Sequence, residues 1–371
     1  MDLDYTTPGV LKLSMIPYVK KIIDEIPEEL GKCATTPAAN HLFQVREESE
    51  TKPLPEEQGN IFHHTVAQLL FVTTRVRRDI QTAVAFLTTR VKKPDEDDWG
   101  KLKRVLRYLK GTTNMKLTLS ADNLSIVKWW VDASHAVHDD CKSHTGASMT
   151  LGKGMALSMS RKQKINGKSS NESELIGVDD ALPQILWTRY FLEAQGHEVK
   201  ENIIYQDNKS AILLEVNGKG SSSKRTKHMK VRYYFVRDKV ESKEVSIKHC
   251  PTERMWADVL KKPKLGKAYR TFRSHLMNVE EDYDETGLVS QQDNKEEPKT
   301  EQPKTIPKSI LRNKKTIQPS TSKLALQECV GTNGKSQVRQ WNLHQPIKST
   351  NDRNARKRVN ALRKKIKRVA K

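Results

Sequence analysis

Four acidic residues stand where carboxylates could gather around a cation. Asp132 closes an apolar, strand-like run (Ile126, Val127, Trp129, Trp130, Val131), and Asp207 closes a second one (Ile203, Ile204, Tyr205). Glu174 opens a long helical stretch, and Asp258 falls in the first turns of the last one. Carboxylates brought close repel one another unless cations neutralise them, so this set implies divalent metal. The ligands are all hard oxygens, which makes Mg²⁺ the natural ion, with Mn²⁺ able to take its place. Taken singly, each acid also has an ordinary reading: Asp207 before Asn208 makes an N-cap, and Asp258 a surface helix residue. The order Asp, Glu, Asp, Asp on strand end, helix, strand end and final helix is far more specific than any one member.

The elements that must position these acids follow from periodicity. Ser125 to Asp132, Thr145 to Leu151 and Met155 to Arg161 read as consecutive strands of an antiparallel meander. A helix is expected from Asn171 to Ala194, then a strand from Ile203 to Asp207 and a short helix to Val216. A basic helix from Arg225 to Val240, a strand from Glu244 to His249 and a last helix from Glu253 complete the set. The result is an α/β fold, a mixed five-stranded sheet flanked by helices. Val178 and Leu182 lie one and two turns on from Glu174, so that face of the long helix turns toward the sheet. Pro183 should kink this helix or divide it in two.

Upstream, residues 1 to 58 alternate short apolar pieces with Pro8, Pro17, Pro27, Pro37, Pro53 and Pro55 and read as the irregular edge of something larger. Residues 59 to 120 hold two or three amphipathic helices, with apolar positions from Val66 to Leu87 and from Trp99 to Leu109, ended by Gly111. Asp95, Asp97 and Asp98 beside Pro94 are explained by a helix N-terminus. From Val279 onward periodicity disappears. The chain of 371 residues carries a net charge of +21, and residues 291 to 371 hold +15 of it, leaving +6 for the rest. Residues 279 to 371 therefore read as a disordered basic tail with affinity for nucleic acid, whose end, Arg353 to Lys371, becomes helical on an anionic partner. The four cysteines form no metal-binding or disulfide pattern, no run is long enough to span a membrane, and Met1 is followed by Asp2 instead of a basic leader. A soluble, unsecreted protein in a reducing compartment is expected, and oligomeric state is not legible.

The residues around these acids resemble a known family. WWVDASHA (129 to 136), SHTGASMTLGKG (143 to 154), SRKQKINGKSSNESELIGVDD (160 to 180), YQDNKSAILLE (205 to 215), KRTKHMKVRYYFVRDKV (224 to 240) and CPTERMWADVLKKP (250 to 263) look like successive blocks of copia-type retrotransposon RNase H. TRVRRDIQTAVAFLTTRV (74 to 91) and WGKLKRVLRYLKGT (99 to 112) resemble the segment that joins reverse transcriptase to that domain. The resemblance covers residues 1 to 278. It implies an RNase H-like domain at 125 to 278, preceded by the helical tail of a reverse transcriptase whose palm active site is missing. By position it places the family's catalytic acids and metal ligands on Asp132, Glu174, Asp207 and Asp258, with Glu174 preferred over Glu172 because it precedes the apolar pair Leu175 and Ile176. It further implies two-metal hydrolysis of the RNA strand of an RNA/DNA hybrid. Asp132 would bridge both ions, Glu174 and Asp207 would hold the ion nearer the leaving group, and Asp258 the one nearer the water. Hybrid specificity would come from minor-groove shape and 2′-hydroxyl contacts.

Other residues have two readings each. Lys224, Arg225, Lys227, Lys230, Arg232 and Arg237 could grip phosphates of the DNA strand, or form a solvated helix face. His249 could aid product release, although a structural histidine requires less. Ser169, Ser170 and Asn171 suit a helix cap. Val178, Asp179 and Asp180 imitate the paired aspartates of a polymerase palm but lie mid-helix, so polymerase activity is not expected. Where the family usually ends in Thr-Lys-Pro-Leu, this chain reads Leu260, Lys261, Lys262, Pro263, Lys264, Leu265; and Ser-Ser-Thr-Glu-Ala-Glu appears as Ser169 to Glu174. Neither departure is expected to touch a metal ligand, and both fit a decaying element copy. The leading expectation is a Mg²⁺-dependent RNase H. The alternative is a catalytically silent nucleic-acid-binding remnant, while an integrase-like reading is disfavoured by the order of the acids. The family's particles point to the cytoplasm, and Arg312, Lys314 and Lys315 to the nucleus as well.

Overall fold

The apolar run around Trp129 becomes the central strand of a five-stranded sheet in the computed structural model, which describes residues 1–47, 49–217 and 230–279. The first elements are β1 (Asp2–Asp4), β2 (Val10–Ser14), α1 (Ile16–Asp24), α2 (Glu56–Thr73), α3 (Gln81–Thr88), α4 (Glu96–Gly111) and β3 (Leu117–Ala121). Then come β4 (Ile126–Ser134), β5 (His144–Thr150), β6 (Gly152–Lys153), β7 (Leu157–Lys162) and α5 (Ser170–Ala194). The last are β8 (Glu201–Gln206), α6 (Lys209–Asn217), α7 (Lys230–Glu241), β9 (Ser246–His249), α8 (Asp258–Lys261) and α9 (Gly266–Met277).

The main sheet has the order β7-β5-β4-β8-β9, antiparallel on the β5 and β7 side and parallel on the β8 and β9 side. It is the expected mixed five-stranded sheet. β4 sits in its middle because its side chains are apolar on both faces, and both faces are covered. Val127, Trp129 and Val131 enter one core with Leu175, Ile176, Val178, Leu182 and Ile185 of α5. Trp130 enters the other, stacks on Tyr205 of the neighbouring strand at 5.1 Å, and joins residues of α1 to α4, α8 and α9. The proline-rich residues 1 to 58 contribute β1, β2 and α1, and Met15, Val19, Ile22, Leu30, Leu42 and Phe43 are buried in that second core. β3, which periodicity had not separated from the preceding helices, joins β1, β2 and β6 in a small second sheet.

The possible division of the long helix at Pro183 and the continuity expected of the last helix are both corrected. α5 runs undivided from Ser170 to Ala194 through Pro183. Pro183 faces solvent while Leu182, Ile185 and Leu186 on either side of it are buried, so packing along the whole helix outweighs the one lost backbone bond. The last helix, in contrast, is not continuous: a short 3₁₀ turn (Thr252–Arg254), α8 and α9 replace it, with the break at Lys262 to Leu265 around Pro263. α4 begins as expected, with Asp95 and Asp98 forming a capping box. The expected tail beyond Val279, and Lys224, Arg225 and Lys227, lie outside the described residues. Among the described residues no helix is long and apolar enough to cross a membrane.

Candidate metal centre

Three of the four acids meet. Asp132 near the carboxyl end of β4, Glu174 in the first turns of α5 and Asp207 just past β8 each present an oxygen, and these oxygens lie within 4.8 Å of one another. The parallel pairing of β4 with β8 places two strand ends side by side, which is why two acids far apart in sequence share a pocket. Glu174 is tied to the strand itself, since its Oε2 accepts a hydrogen bond of 3.0 Å from the Ala133 amide. Asp207 accepts one from the Thr252 hydroxyl at 3.1 Å. Asp132 is fully buried and Glu174 nearly so.

Glu172 is excluded from the cluster by its own helix. Its carboxylate turns back to the Lys168 amide at 2.7 Å, while the Ser169 hydroxyl caps the Glu172 amide. Ser169 is thus the N-cap that the sequence suggested.

Asp258 is joined to the cluster through a lysine. Gly146 of β5 lies opposite Asp132 in the sheet, and a Cβ there would sit 2.6 Å from the Ala257 carbonyl oxygen and 2.8 Å from Leu260. Only a glycine lets α8 settle on the sheet at this point. α8 is then anchored from both sides, by the Thr82 hydroxyl on the Val259 carbonyl (2.6 Å) and the Ser160 hydroxyl on the Leu260 carbonyl (2.7 Å). That anchoring delivers the Lys261 ammonium to Asp132, 2.6 Å from each carboxylate oxygen, with a well-formed hydrogen bond to Oδ1 only. The same ammonium lies 3.5 Å from Asp258 Oδ1, and Lys262 and Lys264 also pair with Asp258. The expectation that the departures from Thr-Lys-Pro-Leu leave the ligands untouched is therefore corrected: Lys261 and Lys264 both contact the acids. The signal was present in the spacing, since Lys261 and Lys262 follow Asp258 by three and four residues on a helix.

Burial is the main influence on the carboxyl groups. It pushes Asp132 up to about 6, with Lys261 opposing and Asp207 and Asp258 reinforcing the rise. Glu174 is raised well above its ordinary value by burial and then by the charge of Asp132. Asp258 goes the other way, because its lysine partners outweigh its burial. Protonation is thus favoured on Asp132 and Glu174 and disfavoured on Asp258. Three hard oxygen donors, mutually repelling and largely dehydrated, fit a divalent ion of the Mg²⁺ type.

The remaining candidates separate. Arg232 pairs with Asp179, and Asp180 lies 3.9 Å from it, so this guanidinium clamps α7 to α5. The imitation palm motif is therefore a helix-packing contact. Arg237 pairs with Glu241 one turn on. His249 is exposed at the end of β9 beside Gln206, one residue from Asp207. One acid escaped sequence reasoning: Glu215 in α6 is fully buried, close enough to Glu174 to raise it, and burial alone pushes it up to about 8.

The strand order of the main sheet, with an acid at the end of each of its two central parallel strands and a third on the covering helix, defines an RNase H-like domain. The Pol polyprotein of transposon TNT 1-94 from Nicotiana tabacum is 31% identical over 261 residues, 69% of this chain and 19% of that protein. The Pol polyprotein of transposon RE2 from Arabidopsis thaliana is 30% identical over 267 residues, 71% of this chain and 18% of that one. The chain belongs to the family of copia-type retrotransposon Pol polyproteins, and it spans about a fifth of the length of these curated relatives. No protein-family model matches it. A solved RNase H1 isolated from compost aligns at 15% identity over 37% of this chain and 92% of its own, with a TM-score of 0.28; the fold assignment rests on the strand order instead.

Proposed function

We propose that residues 125 to 278 hydrolyse the RNA strand of RNA/DNA hybrids with divalent cations held by Asp132, Glu174 and Asp207. The observation that carries this reading is the convergence of those three carboxylates within 4.8 Å from two strand ends and a helix. When bound, the metal supplies an activated water and charge for the departing 3′ oxygen. The chain's own groups do the positioning. The Ala133 amide fixes Glu174, the Thr252 hydroxyl holds Asp207, and burial keeps bulk water from Asp132. Asp258 and the resemblance-implied second ion belong to the same reading, and His249, exposed at the end of β9 beside Gln206, is its candidate for a part in product release. In this reading residues 1 to 58 and 59 to 120 are remnants of a reverse transcriptase without its palm. Phosphate contacts come from the basic segment around Lys224, Arg225, Lys227 and Lys230, and the basic tail adds affinity for nucleic acid. The cytoplasm, with nuclear entry through the tail, is the proposed location.

The test is cleavage of an end-labelled RNA/DNA hybrid with Mg²⁺ by the whole chain and by Asp207→Asn. Cleavage that disappears in the variant is the expected result. Binding of the hybrid with no cleavage by either protein would support the second reading, a silent nucleic-acid-binding remnant. One observation favours that second reading: the ammonium of Lys261 lies 2.6 Å from both oxygens of Asp132.

A further inference from the structure

One oxygen of Asp132 meets Glu174 and Asp207 in the three-acid cluster. Both of its oxygens also lie 2.6 Å from the Lys261 ammonium, which stands 3.5 Å from Asp258 Oδ1. The lysine side chain is only 11% exposed, and its backbone belongs to the anchored α8. It is therefore part of the packed structure and not a surface chain that happens to reach inward.

We infer that Lys261 is a resident cation in the place a second divalent ion shared by Asp132 and Asp258 would take, so that the folded chain holds one divalent ion. This rests on the metal reading of the three-acid pocket and departs from its two-ion form, in which Asp258 holds a second ion. Charge points the same way: the ammonium groups of Lys261, Lys262 and Lys264 already face the acids, so one divalent ion brings the positive charge to +5 against four carboxylates and a second would bring it to +7. Sterics agree as well. An ion bridging Asp132 and Asp258 needs oxygens at roughly 2.1 Å with water filling the rest of its shell, and the ammonium already stands 2.6 Å from the oxygens of the one and 3.5 Å from an oxygen of the other. A lysine can neutralise charge and donate hydrogen bonds there, but it cannot ionise a bound water. Both lysines that contact the acids most closely are the residues by which this chain departs from the Thr-Lys-Pro-Leu ending of the family it resembles.

The test is the number of Mn²⁺ ions bound by the full chain, read by calorimetry and by the electron paramagnetic resonance of the bound ions. One uncoupled ion is expected for the wild type and for Lys261→Arg, which keeps the cation. Two spin-coupled ions are expected for Lys261→Thr, and loss of the single ion for Asp207→Asn. Two ions in the wild type would overturn the inference while leaving the metal pocket intact, whatever the folding of the variants. One ion in a folded Lys261→Thr would do the same. No ion in the wild type would remove the metal reading itself, and the inference with it.

Discussion

Glu215 is the acid with the clearest consequence for the single residue. Neither of its oxygens has a hydrogen-bond partner among the described residues, and burial lifts its ionisation from 4.5 to about 8. Between those pH values the unfolded chain has lost a proton that the folded chain keeps, so stability falls as pH rises through that window. Glu215→Gln removes this dependence. The variant should match the wild type near pH 4.5 and exceed it by on the order of 3 kcal/mol at pH 8, the fraction of the full shift that survives local relaxation. Urea unfolding at the two pH values checks this, and an equal difference at both would show that Glu215 is ionised or solvated in the fold. The sequence could not mark this residue. A glutamate in an amphipathic helix is ordinarily solvated, and only the packing of α6 against α5 and the sheet made it an interior group. Asp132, Glu174 and Asp207 were legible because each sits at an element end defined by apolar neighbours along the chain.

At the scale of elements, α8 decides what the site contains. Gly146→Val would drive a side chain into the Ala257 and Leu260 backbone and lift α8, with Lys261 on it, from the sheet. Overpacking of this kind costs about 1–3 kcal/mol or more. A fall in thermal midpoint is expected, together with a gain in accessibility of Lys261 to acylating reagents; a variant with wild-type midpoint and reactivity would mean that α8 does not rest on this glycine. Pro183 offers the opposite case. It lies on the solvent side of α5 and removes a bond from the helix interior, so Pro183→Ala should stabilise the protein by about 1–2 kcal/mol after the more flexible unfolded chain is allowed for. Denaturant midpoints read this directly. From sequence the proline predicts a kink or a division because local propensity favours one, whereas the buried positions on both sides of it keep the helix undivided.

For the whole molecule, the notable feature is a buried ion pair that links distant parts of the chain. Arg77 and Asp79 are paired through two hydrogen bonds of 2.9 and 2.7 Å, and both are almost fully buried. Tyr108 of α4 donates to Asp79 Oδ2 at 2.6 Å, Arg77 donates to the Thr112 carbonyl, and Tyr269 of α9 donates to the Asp79 carbonyl. The second core likewise mixes residues of α1 to α4 with Trp130, Leu260, Tyr269 and Leu276. Residues 1 to 120 therefore cover a face of the main sheet that would otherwise expose its apolar side chains. Asp79→Ala leaves a buried guanidinium without its partner and should cost about 3–5 kcal/mol. It should lower the unfolding midpoint of a single transition monitored at Trp99 and at the tryptophans of β4; two separate transitions would mean that the two parts fold independently.

What the amino-acid order determined by itself was local: which runs form the main sheet, where helices start at Ser169 and Asp95, and which acids stand at element ends. Those features depend on neighbours a few residues away, and periodicity reports them. Tertiary structure alone decided that Glu174 reaches the strand, that Arg232 binds Asp179, and that Lys261 comes to rest on Asp132. Each of those outcomes depends on how closely two elements approach, set at α8 by a glycine opposite an aspartate and by hydroxyl groups that pin a one-turn helix. Distances of that kind are properties of the packed whole.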